Sequence, residues 1–433
     1  MEIEQNPIKS NWNCGRNTNP ALWVSVGSYE DVQQVVRDTL RFPSPVLSVG
    51  SFISVTDCLV NDGGTIVTTR KLDKVLGLET DEWGRQVVRV QAGCRLKPLN
   101  MWLQSQNVEI PFMAEIGDAS VGSVTVGDTK ESSLNAPGYF SAHVTSVIYV
   151  DGSGDLVTLT DRKDGLRFDE FLCSFGLSGV VVEVMLKVRP ATLCRSSISV
   201  MGWQTPEALA KGLLDRKAEA DNLFAIVMVE KLAAFLDQRW LAGPGNRSPE
   251  TSQPELEQFR LAKRKAIQLG LVGVELPTPK NLVYSRADLV NEYYLPPEGE
   301  PRLDFSYYEH DVDQLTNVVT DTHKFTKAFQ EKTGWAPAGW AVYFVKRSGK
   351  KPFGLYSGSP GESLSFDPVT NNPKDPHWHE FLKQYNRLAI DKLGAKVSPI
   401  QTQHCQPGDL KIPEHLARMR FTTKYYRQFL AGG

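Results

Sequence analysis

Three runs of small residues stand out, because small side chains let a backbone come close to a ligand. The first spans residues 45–54, where the apolar run Val46–Val49 enters Gly50-Ser51-Phe52-Ile53-Ser54. Successive amide N–H groups in such a turn converge into an anion-binding concavity. Gly50 is expected at its tight point, with the Ser51 and Ser54 hydroxyls as further donors. The second run, residues 114–129, reads Ala-Glu-Ile-Gly-Asp-Ala-Ser-Val-Gly-Ser-Val-Thr-Val-Gly-Asp-Thr. Gly117, Ser120, Gly122, Ser123 and Gly127 within it suit a narrow slot for a large flat group. The third run, residues 174–184, carries Gly179, Val180 and Val181 at the head of a β-branched stretch.

Candidate proton acceptors lie further along. His404 follows Gln401 and Gln403, and an imidazole ionises near neutrality without help. Tyr307, Tyr308 and His310 form a second cluster, and strand alternation aims Tyr308 and His310 at one face. Tyr343 sits on an expected strand, where it either faces a ligand or packs in the core. His377 and His379 are two apart on an expected helix, do not share a face, and do not read as a metal site. Lys130-Glu131 reads as a surface ion pair of little consequence.

In this order and at these separations the three small-residue segments resemble the FAD-binding domain of the vanillyl-alcohol oxidase and p-cresol methylhydroxylase flavoproteins. The resemblance covers about residues 10–190, and more loosely the last thirty or so. It implies that the first loop wraps the FAD pyrophosphate, through Val49, Gly50, Ser51, Phe52, Ile53 and Ser54. The second would lie along the isoalloxazine ring, through Gly117, Asp118, Val121, Gly122, Ser123, Val126, Gly127 and Thr129. The third would pack on the far side, through Gly179, Val180 and Val181. Many members attach the flavin through a histidine in the pattern Gly-Ser-x-His-Ser, and that position is Ile53 here. Others add a cysteine tether near the position of Asp118, yet no cysteine lies between Cys94 and Cys173. The resemblance therefore implies non-covalent FAD. The aldonolactone and alditol oxidase branch carries a Glu and an Arg on a cap strand. The corresponding run, Trp340-Ala341-Val342-Tyr343-Phe344, has neither, which argues against sugar-acid lactone oxidation.

These groups need a scaffold. Residues 29–41 read as an amphipathic helix that starts after Ser28, places Val32, Val35, Val36 and Leu40 on one face, and is ended by Pro43 and Pro45. Short β-branched runs follow at 46–49, 65–69 and 87–91, and residues 96–106 read as a helix with Leu99, Trp102 and Leu103 on one side. Residues 144–150 and 156–159 form a hairpin across Asp151-Gly152-Ser153-Gly154-Asp155, and 180–188 is a strand closed by Pro190. Helices are expected at 206–218, 255–268 and 377–392. Strands are expected at 224–230, 339–346, 363–366 and 396–401, with breaks at 243–249 and 357–362. No Gly-x-Gly-x-x-Gly follows a strand, so a Rossmann dinucleotide fold is not the expectation.

The expected fold is thus α+β. Its FAD-binding domain of p-cresol methylhydroxylase type, two α+β subdomains, would span residues 1–195. An α+β substrate cap would span 196–395, and residues 396–433 would return to the FAD domain through the aromatic tail that begins at Arg420.

The chain has 433 residues, 41% hydrophobic and 23% charged, in the range of a soluble globular protein. Lys and Arg number 48 against 50 Asp and Glu, so nucleic acid is not the expected partner. The apolar runs are too short to span a bilayer, and the acidic start does not read as a signal peptide. A cytoplasmic location, with no membrane partner, is the expectation. The six cysteines, scattered without a metal or redox spacing, read as reduced and mostly buried; the sequon at Asn246 reads as chance. The chain therefore reads as an FAD-dependent oxidoreductase, an oxidase or dehydrogenase. It would oxidise a small hydroxylated substrate by hydride transfer to flavin N5, with dioxygen or another acceptor taking the electrons. Oxidation of an amine or a C–C bond of a biosynthetic intermediate, with cyclisation, is the alternative. A redox-inactive binding module on the same fold is another.

Overall fold

A computed structural model describes residues 1–112, 116–127, 129–132, 134, 136–246, 251–289, 302–347 and 361–430. Ala114, Glu115 and Asp128 of the second small-residue run lie outside the described residues. So do positions 247–249 and 357–360 of the two expected breaks.

The fold is α+β, built on three principal sheets. The first runs Glu2–Gln5, Leu22–Ser25, Thr65–Thr68, Val46–Val49 in space, with the last three strands parallel. Val46–Val49 is therefore an edge strand, and the chain leaves its end directly into residues 50–54. Helix Tyr29–Arg37 covers this sheet with Val32, Val35 and Val36, and the Ser28 hydroxyl accepts from the Asp31 amide as its cap. Such a cap contributes about 1 kcal/mol. The helix ends earlier than the sequence predicts, and Leu40 is 98% exposed rather than part of the buried face. The Arg420 guanidinium takes the Val35 and Val36 carbonyls there, which fixes the helix end and docks the C-terminal segment.

The second sheet is antiparallel, in the order Leu156–Thr160, Val144–Val150, Val180–Lys187, Gln86–Gln91, Val75–Thr80. Strand Val180–Lys187 is buried on both faces. Val180 and Val182 pack with Val32 and Val36 of the first layer, whereas Val181 packs on the opposite side with Tyr149 and Phe171. The period of two along a strand sends neighbouring residues to opposite faces.

The third sheet is antiparallel, and eight strands are seen among the described residues. Its order is Asn281–Ser285, Thr192–Gly202, Ala233–Pro244, Asn222–Met228, Gly339–Lys346, Glu362–Thr370, Asp304–Phe305, with Glu309–Asp311 also on Glu362–Thr370. Helices Pro206–Ala218, Leu315–Thr333 and Pro376–Asn386 cover one face, against Leu223, Ala225, Val342, Phe344, Leu364 and Phe366. Trp340, Trp378, Phe381 and Tyr385 fill that layer and are wholly buried. Truncating one such aromatic to alanine costs about 3–5 kcal/mol. Helix Gln253–Leu269 covers part of the other face, against Phe224, Ile226 and Phe235. Tyr343, Ser365 and Asp367 also belong to that second face, because Tyr343 is in register with Ser365, and Asp367 lies two residues on.

The strand expected at 396–401 does not form. Lys396 makes a single bridge to Glu309, and the chain then turns, with the Gln401 and Thr402 amides donating back to the Ser398 carbonyl. Pro399 has no N–H and cannot continue a ladder. Among the described residues no helix is long and apolar enough to cross a membrane.

Candidate active site

Two adjoining cavities lie where the three sheets meet, and Ile116, Thr129, Phe305 and Gln401 line both. The first is bounded by the turn after the edge strand: Val49, Gly50, Ser51, Phe52, Ile53 and Ser54 all line it. The second small-residue run contributes Gly122, Ser123, Val126, Gly127 and Thr129, and the third contributes Gly179 and Val181. Ser120, Phe175, Ile400 and Tyr426 complete the wall.

The turn at 50–54 owes its shape to Phe52, at φ 59°, rather than to Gly50, whose φ is negative. A left-handed residue inside a turn converges neighbouring N–H groups into an anion-binding nest. Among the described residues none of the five amides of residues 50–54 donates to a protein acceptor. All five residues line the cavity, so a turn with unused amide donors borders it, which suits a pyrophosphate. Gly50 is required for a different reason. A Cβ there would stand 1.8 Å from the Ser120 hydroxyl oxygen, so the first segment touches the second directly.

The second run is not an extended strip but a short helix, Val121–Val126, which presents Gly122, Ser123 and Val126 to the cavity. Gly122 packs on Ala92, 2.8 Å from where its Cβ would be, and so serves the approach of helix to sheet. Four expected cofactor residues lie off the cavity wall. Val121 is buried in the core with Val90 and Leu99, and Val180 faces the helix Tyr29–Arg37 layer by strand parity. Asp118 is paired with Arg95 at 2.9 Å, and the Gly117 carbonyl accepts from the Lys97 amide.

The expected bases are placed less well. Tyr308 is wholly buried on the helix face of the third sheet, where its hydroxyl donates to Asn386 Oδ1. Burial drives its phenol well above the ordinary value. His310 is in register with Leu364, so it turns to the same helix face, and burial lowers its pKa to about 4. Strand alternation does put Tyr308 and His310 on one side, but it is the side away from both cavities. His404 is half-buried beside His379, 3.2 Å between ring nitrogens, and lines neither cavity. Burial first, then the neighbouring His379, lowers its pKa to about 4.

Tyr343 does face the second cavity, and it is not alone. Lys130 donates to Tyr343 Oη at 3.0 Å and to Ser365 Oγ at 3.3 Å. Ser365 donates to Asp367 Oδ2 at 2.6 Å, and Tyr343 reaches the same oxygen at 3.5 Å. Burial raises the Asp367 carboxyl pKa, against the pull of Lys130. Lys130 and Glu131 are buried cavity residues, not a surface pair. A lysine beside the second small-residue run was the available signal. Its burial was not legible because strand register between distant segments decides what it meets.

Residues 20–160 match a family described as FAD binding domain. The D-arabinono-1,4-lactone oxidase of Eremothecium gossypii is 28% identical over 204 residues, 47% of this chain and 38% of that protein. The enzyme of the same name from Saccharomyces cerevisiae is 27% identical over 206 residues, 47% of this chain and 39% of that protein. The match to these curated relatives thus spans well under half of their length. Among solved structures, cholesterol oxidase from B. sterolicum superposes with TM-score 0.73 at 13% identity, over 100% of this chain and 96% of that one. A solvent-stable cholesterol oxidase superposes with TM-score 0.67 at 13% identity, over 92% of this chain and 86% of that one. Residues 20–160 thus match an FAD binding domain in sequence, and the chain as a whole shares the fold of these cholesterol oxidases.

Proposed function

We propose that this chain holds FAD without a covalent bond in the first cavity and oxidises a small hydroxylated substrate in the second. The observation that carries this is the row of free amides at residues 50–54 on a cavity that also meets Gly127 and Val181. When bound, the flavin supplies a hydride acceptor at N5 and hands its electrons to dioxygen or another acceptor. The protein's share is to bind, orient and take a proton. The nest holds the pyrophosphate, and the slot beside helix Val121–Val126 admits the ring. Gln401, at the junction of both cavities, is placed to orient a substrate hydroxyl.

Two features support a non-covalent cofactor. Ile53, on the cavity wall, occupies the place of a tethering histidine. Cys58 is the cysteine on that wall, and burial pushes its thiol up to about 11, so it stays protonated. The relatives named above are called oxidases, which favours dioxygen as acceptor. Strand Gly339–Lys346 has neither Glu nor Arg, so a lactone is not the substrate we assign.

Acid precipitation should leave the flavin in the supernatant; a yellow pellet would show a covalent bond. Purified protein lacking flavin after FAD addition would refute the cofactor. An anaerobic screen should show the flavin band bleached by hydroxylated compounds. Bleaching by amines alone would move the assignment to amine oxidation.

A further inference from the structure

Lys130, Tyr343, Ser365 and Asp367 close a ring of hydrogen bonds at the edge of the second cavity. The ammonium donates to two hydroxyls, and both hydroxyls converge on one carboxylate oxygen, Asp367 Oδ2. Strand register builds three corners of it: Tyr343 lies opposite Ser365, and Ala341 opposite Asp367. The fourth corner, Lys130, comes from the loop after helix Val121–Val126. That loop is held from beneath, where the buried Arg239 donates to Ser132 Oγ at 3.0 Å.

The ring has the components of a proton acceptor. A cation beside a phenol oxygen stabilises its phenolate. A buried carboxylate holds a proton more readily than an exposed one. Of the four groups, Tyr343 alone is only half-buried while lining the cavity.

We propose that Tyr343 is the group that takes the substrate hydroxyl proton, with Asp367 receiving the phenol proton in turn and Lys130 holding the phenol oxygen in place. This rests on the FAD-dependent oxidation proposed above. The substrate O–H bond breaks and its proton passes to Tyr343 Oη. The Tyr343 O–H bond breaks and that proton passes to Asp367 Oδ2. The substrate C–H bond breaks with its electron pair, which the oxidised flavin receives, and a C=O bond forms. Tyr343 touches the substrate; Lys130 and Asp367 act through it and are positioning residues.

The first measurement needs no substrate. The ionisation of Tyr343 is read as the pH-difference absorbance of wild type minus Tyr343→Phe, since the chain has 13 tyrosines. Lys130→Met should raise that ionisation by about one to three pH units and Asp367→Asn should lower it, because each removes one charge beside the phenol. Lys130→Arg should restore the wild-type value in part. The other charged cavity groups, Glu131 and Lys263, stay constant across the series. An ionisation indifferent to both substitutions overturns the coupling.

The second measurement is anaerobic flavin reduction by a substrate that bleaches wild type. Tyr343→Phe should slow it about a hundredfold to ten-thousandfold with the oxidised FAD spectrum intact, the usual cost of losing a general base. Reduction at the wild-type rate in Tyr343→Phe overturns the role of Tyr343 and leaves the oxidation standing. A wild type that no hydroxylated compound reduces overturns the oxidation itself, and this role with it.

Discussion

A Cβ on Gly50 would lie 1.8 Å from the Ser120 hydroxyl oxygen and 2.6 Å from that of Ser123. Two segments seventy residues apart in sequence thus meet at one atom's width, and both line the first cavity. No side chain fits at residue 50 unless the Val121–Val126 helix start moves.

Gly50→Ala should therefore lose bound FAD while the protein still folds, with about 1–3 kcal/mol of overpacking to absorb. Gly50→Ala combined with Ser120→Gly should regain much of the flavin, because the colliding side chain is gone. The flavin-to-protein absorbance ratio after gel filtration measures both. Equal flavin content in wild type and Gly50→Ala would place the cofactor elsewhere.

Tyr308→Phe and His404→Ala test residues that the sequence favours and the fold sets aside. Tyr308→Phe strands the buried Asn386 Oδ1 and should cost about 1–3 kcal/mol of stability. His404 is half-buried at the edge of helix Pro376–Asn386, and its loss should be smaller still. In both variants the rate of flavin reduction should stay within about twofold of wild type, since neither residue lines a cavity. A hundredfold loss in either, read by stopped-flow, would restore it as the base.

The contrast between these residues shows what the sequence carries. Local signals held wherever a residue's fate is decided nearby. The cap at Ser28 and the hairpin across Asp151 follow from turn and helix chemistry, whereas Pro190, read as a strand end, lies in a two-residue strand paired with Val108–Glu109. The three small-residue segments are legible because close packing around one cavity demands small residues in each: Gly50 against Ser120, Gly122 against Ala92 and Gly179 against Tyr149. Face assignment is different. Tyr343 is on strand Gly339–Lys346, whereas Tyr308 lies just before strand Glu309–Asp311 of the same sheet, and only the pairing of Glu309–Asp311 with Glu362–Thr370 sends Tyr308 to the helices. Lys130 meets Tyr343 across 213 residues of chain, and nothing local announces it. Leu40 looked like the next apolar turn of a helix, but Arg420, near the other terminus, ends that helix first.

The buried pair Asp237–Arg239 offers a sharper energetic test. Both side chains are fully enclosed, the guanidinium lies 2.6 Å from the carboxylate, and Arg239 also donates to Ser132 in the loop that carries Lys130. Arg239→Leu leaves an unpaired buried carboxylate and should cost about 3–5 kcal/mol. The double variant with Asp237→Leu should recover a large part of that, because no orphaned charge remains. Urea denaturation of the four species gives the coupling energy. A double variant no better than Arg239→Leu would mean that the pair acts only through packing.

Asp304 predicts a pH dependence of stability. It is almost wholly buried and accepts from Gln403 Nε2 and Trp378 Nε1, both at 2.9 Å, and from Asn13 Nδ2 at 3.1 Å. These donors tie the N-terminal segment, helix Pro376–Asn386 and the C-terminal turn together behind Phe305. Burial nevertheless outweighs them and raises the carboxyl pKa from 3.8 to about 6. Between those values the folded state binds more protons than the unfolded chain, so this group's contribution falls as pH rises. The contribution is fully present below about pH 4, declines through pH 4–6, and is lost above about pH 6, a change of about 3 kcal/mol. Asp304→Asn, which cannot titrate, should flatten the slope of unfolding free energy against pH in that window. It should also trail wild type at low pH, because its amide N–H meets donors where the acid offered an acceptor. An unfolding free energy with the same slope in wild type and Asp304→Asn would show that other carboxylates set the pH response.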